Sequence, residues 1–273
     1  MKRTALLLLV TMIALPASAA TLLSTDMGSA AVNPATDTTL DGLTTGTIGG
    51  TWDSNFTPTN NQKIVGNAGA TDYALLIDEG GQAGSANGAY AEVFLKDSVS
   101  FTDNAVTVSF DMGIAYTGTA RELTMTGYAA NGTTKVFEMI WDQKTLRFAY
   151  VENSGTTMMW GDDSLRLAET IAATGAYDPA LMATFTVILD GTDLTYNCTA
   201  EQSSSDVTTS GDIGVTVLNS TTELSSIRFA ISGTSSNDQA IWLDNVEVQG
   251  VPEPATMSLL ALGGMAMLRR KKK

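Results

Sequence analysis

The sequence predicts an all-β body, an antiparallel two-sheet sandwich, flanked by a short apolar segment at each end. Three observations lead there. The chain is rich in Thr, with 39 in 273 residues, and dense in Gly, Asn and Asp, a composition that suits strands joined by tight turns. Several stretches alternate apolar and polar residues with period two, the pattern of a half-buried strand. No stretch of the body carries helical spacing over enough residues to build a layer, so sheet must pack on sheet.

At the N-terminus, Lys2 and Arg3 precede eleven apolar residues, Ala5 to Leu15, and Pro16 is followed by Ala17-Ser18-Ala19. A positive start, a short apolar run and small residues at Ala17 and Ala19 make a Sec signal peptide over residues 1–20, a helix until it is cleaved. The apolar run is too short for a lasting anchor, and no Cys follows the site to take a lipid.

The body spans residues 21–250. Val106-Thr107-Val108-Ser109-Phe110-Asp111-Met112 alternates cleanly and reads as a strand. Val136 to Trp141 and Leu146 to Val151 flank Asp142-Gln143-Lys144-Thr145 as a hairpin. Phe185 to Leu189 and Leu194 to Tyr196 flank an Asp190-Gly191 turn as a second. Ile227 to Ile231 and Ala240 to Val248 supply the last two strands. Helix is expected only over Ser164 to Ala173 and in a single turn from Asp178 to Met182. No fixed-period repeat appears, and the Thr-x-Thr pairs are irregularly placed, which speaks against a solenoid.

The C-terminal segment, residues 251–273, is set off by Pro252-Glu253-Pro254, a stiff extended stub that continues neither strand nor helix. Thirteen mostly apolar residues, Thr256 to Leu268, follow as a short hydrophobic helix, and Arg269, Arg270, Lys271, Lys272 and Lys273 end the chain. As helix those thirteen residues rise about 20 Å, short of the roughly 30 Å hydrocarbon core. The basic end holds the cytoplasmic side, leaving the body across the membrane, in agreement with the signal peptide.

Net charge at pH 7 is −14 overall, but the termini mask a more acidic body. With the leader's two cations, the tail's five and Glu253 set aside, residues 21–250 hold 8 cations against 28 acids, a net of −20. That disfavours nucleic acid and anionic membrane as partners and favours solubility and repulsion between copies. The chain has no His and one Cys, Cys198. Imidazole bases, His-ligated metals, intrachain disulfides and thiolate clusters are therefore excluded. Cys198 shares a parity with Leu194 and Tyr196 and is expected to pack inside as a small hydrophobe.

Pro252-Glu253-Pro254, the short apolar segment and the terminal basic cluster, in that order, resemble the PEP-CTERM sorting signal of Gram-negative bacteria. The resemblance implies recognition by an exosortase-type enzyme, transient anchoring in the inner membrane through the C-terminal helix, removal of the tail, and delivery to the cell envelope, outer surface or extracellular matrix. A plain tail anchor is the alternative. The signal is carried by unrelated passengers, so it leaves the body open.

The body's strand pattern resembles the concanavalin A-like and laminin-G-like jelly rolls. Trp242-Leu243-Asp244-Asn245-Val246-Glu247-Val248 is similar to their closing strand, and Leu22-Leu23-Ser24-Thr25-Asp26 to an opening one. The resemblance implies a structural calcium tying first strand to last, with Asp26 and Asp244 as ligands; the alternative is an Asp that caps a turn or faces solvent. It also implies a lectin-like polysaccharide-binding module. Trp160, beside Asp162 and Asp163, and Trp52, in a Gly-rich polar setting, are the candidate stacking residues. Each has the alternative of closing one end of the sandwich, whereas Trp141 and Trp242 fall within strands and read as core.

Laminarinase-type hydrolases of this fold carry Glu-x-Asp-x-x-Glu, which is absent here. Glu138 and Asp142 share a strand face, but four residues separate them by roughly 13 Å, beyond the 5–9.5 Å of retaining or inverting pairs. A cross-strand acid such as Glu152 could approach either. The sequence thus points to an exported, non-enzymatic envelope or matrix protein with a lectin-like body. A purely structural matrix component is the alternative, and a glycoside hydrolase the distant one.

Overall fold

The computed structural model describes residues 20–25, 47–54, 61–66, 73–78, 90–116, 121–142, 147–160, 182–202, 206–209, 213–233 and 240–250. Among these are seventeen strands: β1 (Ala20–Thr25), β2 (Thr47–Ile48), β3 (Gly50–Ser54), β4 (Asn61–Gly66), β5 (Tyr73–Asp78), β6 (Tyr90–Ser100), β7 (Val106–Tyr116), β8 (Arg121–Tyr128), β9 (Lys135–Asp142), β10 (Arg147–Val151), β11 (Thr157–Trp160), β12 (Ala183–Asp190), β13 (Asp193–Gln202), β14 (Asp206–Thr209), β15 (Ile213–Thr216), β16 (Glu223–Gly233) and β17 (Ala240–Gly250). The one helical piece among the described residues is a 3₁₀ turn at Leu218–Ser220.

The strands form two wholly antiparallel sheets. One runs β14-β13-β12-β7-β17-β1-β2, with β15 also beside β13 and the β4–β5 pair joined to β17. The other runs β11-β10-β9-β8-β16-β6-β3. Between consecutive described strands the chain changes sheet eight times, at β2/β3, β3/β4, β5/β6, β6/β7, β7/β8, β11/β12, β15/β16 and β16/β17, so the two layers are stitched repeatedly.

Alternation explains why the layers face each other. Val106, Val108, Phe110 and Met112 of β7 and Phe185, Val187 and Leu189 of β12 are fully buried from one sheet; Ile227, Phe229 and Ile231 of β16 and Val93 of β6 meet them from the other. Phe110 stacks on Phe185 within its sheet at 5.3 Å between ring centroids. It meets Phe229 of the facing sheet edge-on at 5.1 Å. Tyr150 and Tyr196 make a second crossing contact at 5.7 Å. Offset and edge-on pairs add roughly 0.5–1.5 kcal/mol each to the burial itself.

Both expected hairpins are present. β9 pairs with β10 from Met139↔Tyr150 to Asp142↔Arg147. β12 pairs with β13 without a break from Ala183↔Ala200 to Asp190↔Asp193, so the two-residue turn is Gly191-Thr192, one position later than an Asp190-Gly191 turn would be. Gly191 takes φ 61°, which explains a glycine as the first turn residue. The opening and closing strands pair as the jelly-roll resemblance implies: β1 lies antiparallel to β17, with Thr25 opposite Val246. The signal helix, the C-terminal helix and the helical segments expected near 164–173 and 178–181 lie outside the described residues. Among the described residues no helix is long and apolar enough to cross a membrane.

Gly49 links β2 of one sheet to β3 of the other at φ 79°, and a Cβ there would fall 1.9 Å from the Leu22 carbonyl oxygen. Phe110→Ala should therefore cost about 3–5 kcal/mol by denaturant unfolding, since it empties the junction of three aromatic rings. Gly49→Ala should exceed the roughly 1–2 kcal/mol of left-handed backbone strain alone, because the crossing strand has no room to yield. A loss under about 1 kcal/mol in either variant would contradict this packing.

Candidate functional site

The same alternation that fills the core puts a second set of residues on the outer face of the seven-stranded sheet. On β16, Ile227 and Phe229 point inward, so Arg228 lies on the other face. On β6, Ala91 and Val93 point inward, leaving Tyr90, Glu92 and Phe94 outside. Register then places Arg228 between Glu92 of β6 and Thr126 of β8. One row to each side, Ala230 opposes Tyr90 and Ser226 opposes Tyr128, which brings a tyrosine diagonally against Arg228 from each neighbouring strand.

The resulting geometry is tight. The guanidinium carbon of Arg228 sits 4.6 Å from the Tyr90 ring centroid and 5.1 Å from that of Tyr128. Its Nε donates to Glu92 Oε2 at 2.7 Å, and Nη2 reaches the same oxygen at 2.6 Å. Ser226 Oγ donates to the other oxygen, Oε1, at 2.5 Å. Glu92 is 1% exposed, whereas the Arg228 side chain keeps 32% of its surface. Burial works to lower the Arg228 pKa, but the hydrogen bonds and charge of Glu92, helped by Tyr128 and Tyr90, outweigh it and the net shift is upward.

The next strand continues the row. Thr126 Oγ1 donates to Glu138 Oε2 at 3.5 Å, and Lys135 forms an ion pair with the same carboxylate. On the opposite side Asp53 of β3 stands across from Glu92. This part of the face therefore brings together Arg228 and Lys135, each held by a glutamate, with Asp53 beside them and two half-buried tyrosines flanking a planar guanidinium. Glu92 and Glu138 are three strand spacings apart, about 14 Å, too far for a paired acid and base across a glycosidic bond. This surface can stack and hydrogen-bond.

The residues singled out from the sequence fall elsewhere. Trp52 is a correction: at 1% exposure it is a core residue, and its Nε1 donates to Thr25 Oγ1 at 3.3 Å, joining β3 to β1 across the two sheets. Its Gly-rich setting reflects the sheet crossing at Gly49-Gly50 and gives no ligand platform. Trp160 ends β11 in register with Phe148 at the far edge of the seven-stranded sheet. Trp242 is buried on the outer face of its sheet, since Ile241 and Leu243 on either side enter the core. Cys198 stands opposite Phe185 in the β12–β13 register. Glu138 is committed to Lys135 and Thr126, and Glu152 opens the β10–β11 turn, where its N–H donates to the Thr156 carbonyl at 2.9 Å.

Asp244 is 2% exposed and stands opposite Asp111 at a β17 bulge, where Asn245 takes φ 49°. Its Oδ1 accepts the Asn245 N–H at 2.8 Å, while Thr184 Oγ1 and Asn245 Nδ2 donate to the two oxygens of Asp111 at 2.5 and 2.8 Å. Calcium wants six to eight oxygens converging on one point. Among the described residues no three His, Cys, Asp or Glu gather around one point. Asp26 lies outside the described residues, as do Ala17, Ala19, Pro252, Glu253, Pro254 and the basic residues 269–273.

Sequence reasoning missed Tyr90, Glu92, Tyr128 and Arg228. A lone cation in the apolar run Ile227-Arg228-Phe229 and a lone acid in Ala91-Glu92-Val93 were the available signal. Their pairing needed the β6–β16 register.

The C-terminal segment is decided by comparison with known families. Residues 250–273 match the PEP-CTERM protein-sorting motif. No curated protein matches the chain. Among solved structures, the chain is similar to lectin UEA-II complexed with galactose, at 8% identity, covering 79% of this chain and 97% of that one with a TM-score of 0.45. It is similar to lectin II from Ulex europaeus at 9% identity, with coverages of 75% and 93% and a TM-score of 0.43. An alginate lyase from Corynebacterium sp. is matched at 12% identity, with coverages of 71% and 82% and a TM-score of 0.41. At such scores none of these likenesses bears on ligand or activity, and the site rests on its own geometry.

Beneath the face, Tyr196 of β13 donates its hydroxyl to the Glu138 main-chain oxygen at 3.4 Å. Burial, followed by the charge of Glu138, pushes this phenol well above its ordinary range. A raised folded-state pKa means that the stabilising contribution is complete below the unfolded value near 10 and is lost as pH climbs above it. Unfolding free energy should fall above about pH 10, with Tyr196→Phe removing up to about 1.4 kcal/mol per pH unit of that slope. An unchanged slope in the variant would show that Tyr196 ionises freely.

Proposed function

We propose that this is an exported, non-enzymatic protein of the cell envelope or extracellular matrix, whose β-sandwich binds polysaccharide on the outer face of its seven-stranded sheet. The observation that carries the binding is the half-exposed Arg228 held between Tyr90 and Tyr128 by a buried Glu92. Holding a guanidinium in one orientation before a ligand arrives lowers the ordering cost of binding. Tyrosine adds ring faces for sugar C–H groups and a hydroxyl for hydrogen bonding at small entropic cost. The separation of Glu92 from Glu138, and the commitment of each to a cation, support binding over hydrolysis.

Export and sorting are supported by the C-terminal motif. The Sec machinery would take the chain out, the apolar segment would hold it briefly in the inner membrane, and an exosortase-type enzyme would remove the tail. The acidic body, net −20, suits a protein released among other macromolecules without self-association.

Replacing Pro252, Glu253 and Pro254 together by Ala should leave the exported protein with an intact tail ending at Lys273, read by mass spectrometry of the membrane fraction. A wild-type surface form that still carries Lys273 would refute the sorting reading. For the body, Tyr90→Ala and Tyr128→Ala should each weaken binding to a polysaccharide panel about tenfold, an interface-anchor loss, at an unchanged melting temperature. Wild-type protein that retains no polymer of the panel would refute the binding reading.

A further inference from the structure

We infer that a cavity at one end of the seven-stranded sheet, where the β8–β9 turn meets the β15–β16 connection, binds a single neutral sugar unit independently of the Arg228 face. The cavity measures about 260 Å³ and opens to solvent. Ala129, 7% exposed, supplies an apolar wall. Asn131 and Thr134 line it from the β8–β9 turn, and Ser220, Thr221, Thr222 and Glu223 line it from the other side. Among the described residues that form the lining there is no cation to pair with an anion, and one carboxylate falls short of the ligand set of a divalent cation. What the lining holds in quantity is hydroxyl, beside one amide and that carboxylate. Mixed donors and acceptors around a small apolar wall suit the hydroxyl and C–H groups of a sugar. The volume lies under the roughly 300–1,000 Å³ of clefts for drug-sized ligands, so one ring fits and an extended chain does not.

The walls are fixed before a ligand arrives, which lowers the ordering cost of binding. The Thr133 and Thr134 N–H groups donate to Asn131 Oδ1 at 3.1 and 2.9 Å. Asn131 Nδ2 donates to Thr134 Oγ1 at 2.7 Å, leaving the Thr134 hydroxyl hydrogen for another acceptor. Across the cavity Asn219 and Ser220 both hold left-handed backbone, at φ 54° and 50°, which non-glycine residues adopt rarely and seldom in succession. Asn219 is held there at two points: its N–H donates to Asn153 Oδ1 at 2.8 Å and its Nδ2 to the Lys135 carbonyl at 3.0 Å. Thr221 Oγ1 donates to the Leu218 carbonyl at 3.1 Å and keeps lone pairs to accept with. Among the described residues no side-chain hydrogen bond or ion pair engages Ser220, Thr222 or Glu223. Committed residues thus shape the cavity, and uncommitted ones remain for the ligand, with the two oxygens of Glu223 able to accept a pair of neighbouring sugar hydroxyls.

The test is an amide NMR titration of the exported protein with the methyl glycosides of glucose, galactose, mannose and N-acetylglucosamine. At least one sugar should shift the amide signals of Asn131, Thr134, Ser220 and Glu223 with a dissociation constant of about 1 mM, the ordinary yield of about a dozen non-hydrogen atoms. Glu223→Gln keeps the side chain's size and has no protein partner to lose, and it should weaken that binding about tenfold. Thr222→Phe, which fills the cavity, should abolish it; where that variant does not fold, Glu223→Gln decides. Shifts confined to Tyr90, Tyr128 and Arg228 would overturn this site while sustaining sugar binding on the Arg228 face. Shifts around the cavity with calcium chloride alone, and none with the sugars, would overturn the ligand class. No shift around the cavity from any of the four sugars well above millimolar concentration, or a Glu223→Gln protein that titrates as the wild type does, would also overturn the inference, whatever the polysaccharide panel returns.

Discussion

The contact between Phe110, Phe185 and Phe229 fixes the relation of the two sheets, and other features follow from it. Each ring comes from a strand whose neighbours alternate in and out, so committing Phe229 to the core commits Arg228 to the opposite face. The side-chain period of a strand is two, and a slip of one residue would exchange core and surface across the whole strand. A sequence with one apolar and one polar parity therefore has a single register that buries the rings and presents the arginine.

The outer face of the seven-stranded sheet is unusual in how deeply its polar groups lie. Glu92, Thr126, Glu138 and Ser226 are all at most 8% exposed, yet Glu92 and Glu138 have cations and Ser226 and Thr126 have carboxylates to bind. Removing charged groups from water costs several kcal/mol unless they are paired and hydrogen-bonded, so such a row persists only when fully satisfied. The consequence is a rigid polar floor from which Arg228 and the two tyrosines emerge.

Much of the fold was legible in the sequence. The β9–β10 and β12–β13 hairpins follow from strand alternation and turn residues, and Val106 to Met112 became the first seven residues of β7, whose partners, β12 and β17, lie on either side. The site was not legible in the same way. Trp52 stood out as an aromatic residue in a polar, glycine-rich stretch, but those glycines serve a sheet crossing that buries the indole. Arg228 and Glu92 lie 136 residues apart, and neither is conspicuous until the β6–β16 register places them side by side.

The sequence by itself determined the class of fold, the net negative charge and the C-terminal sorting motif, because strand period, net charge and short motifs are local or additive properties of the chain. Only the tertiary structure decided which polar residues share a face. That depends on which strands become neighbours and in what register, and in an antiparallel sandwich those neighbours come from distant parts of the chain. The Tyr90–Arg228–Tyr128 arrangement, drawn from three separate strands, is for this reason a product of folding alone.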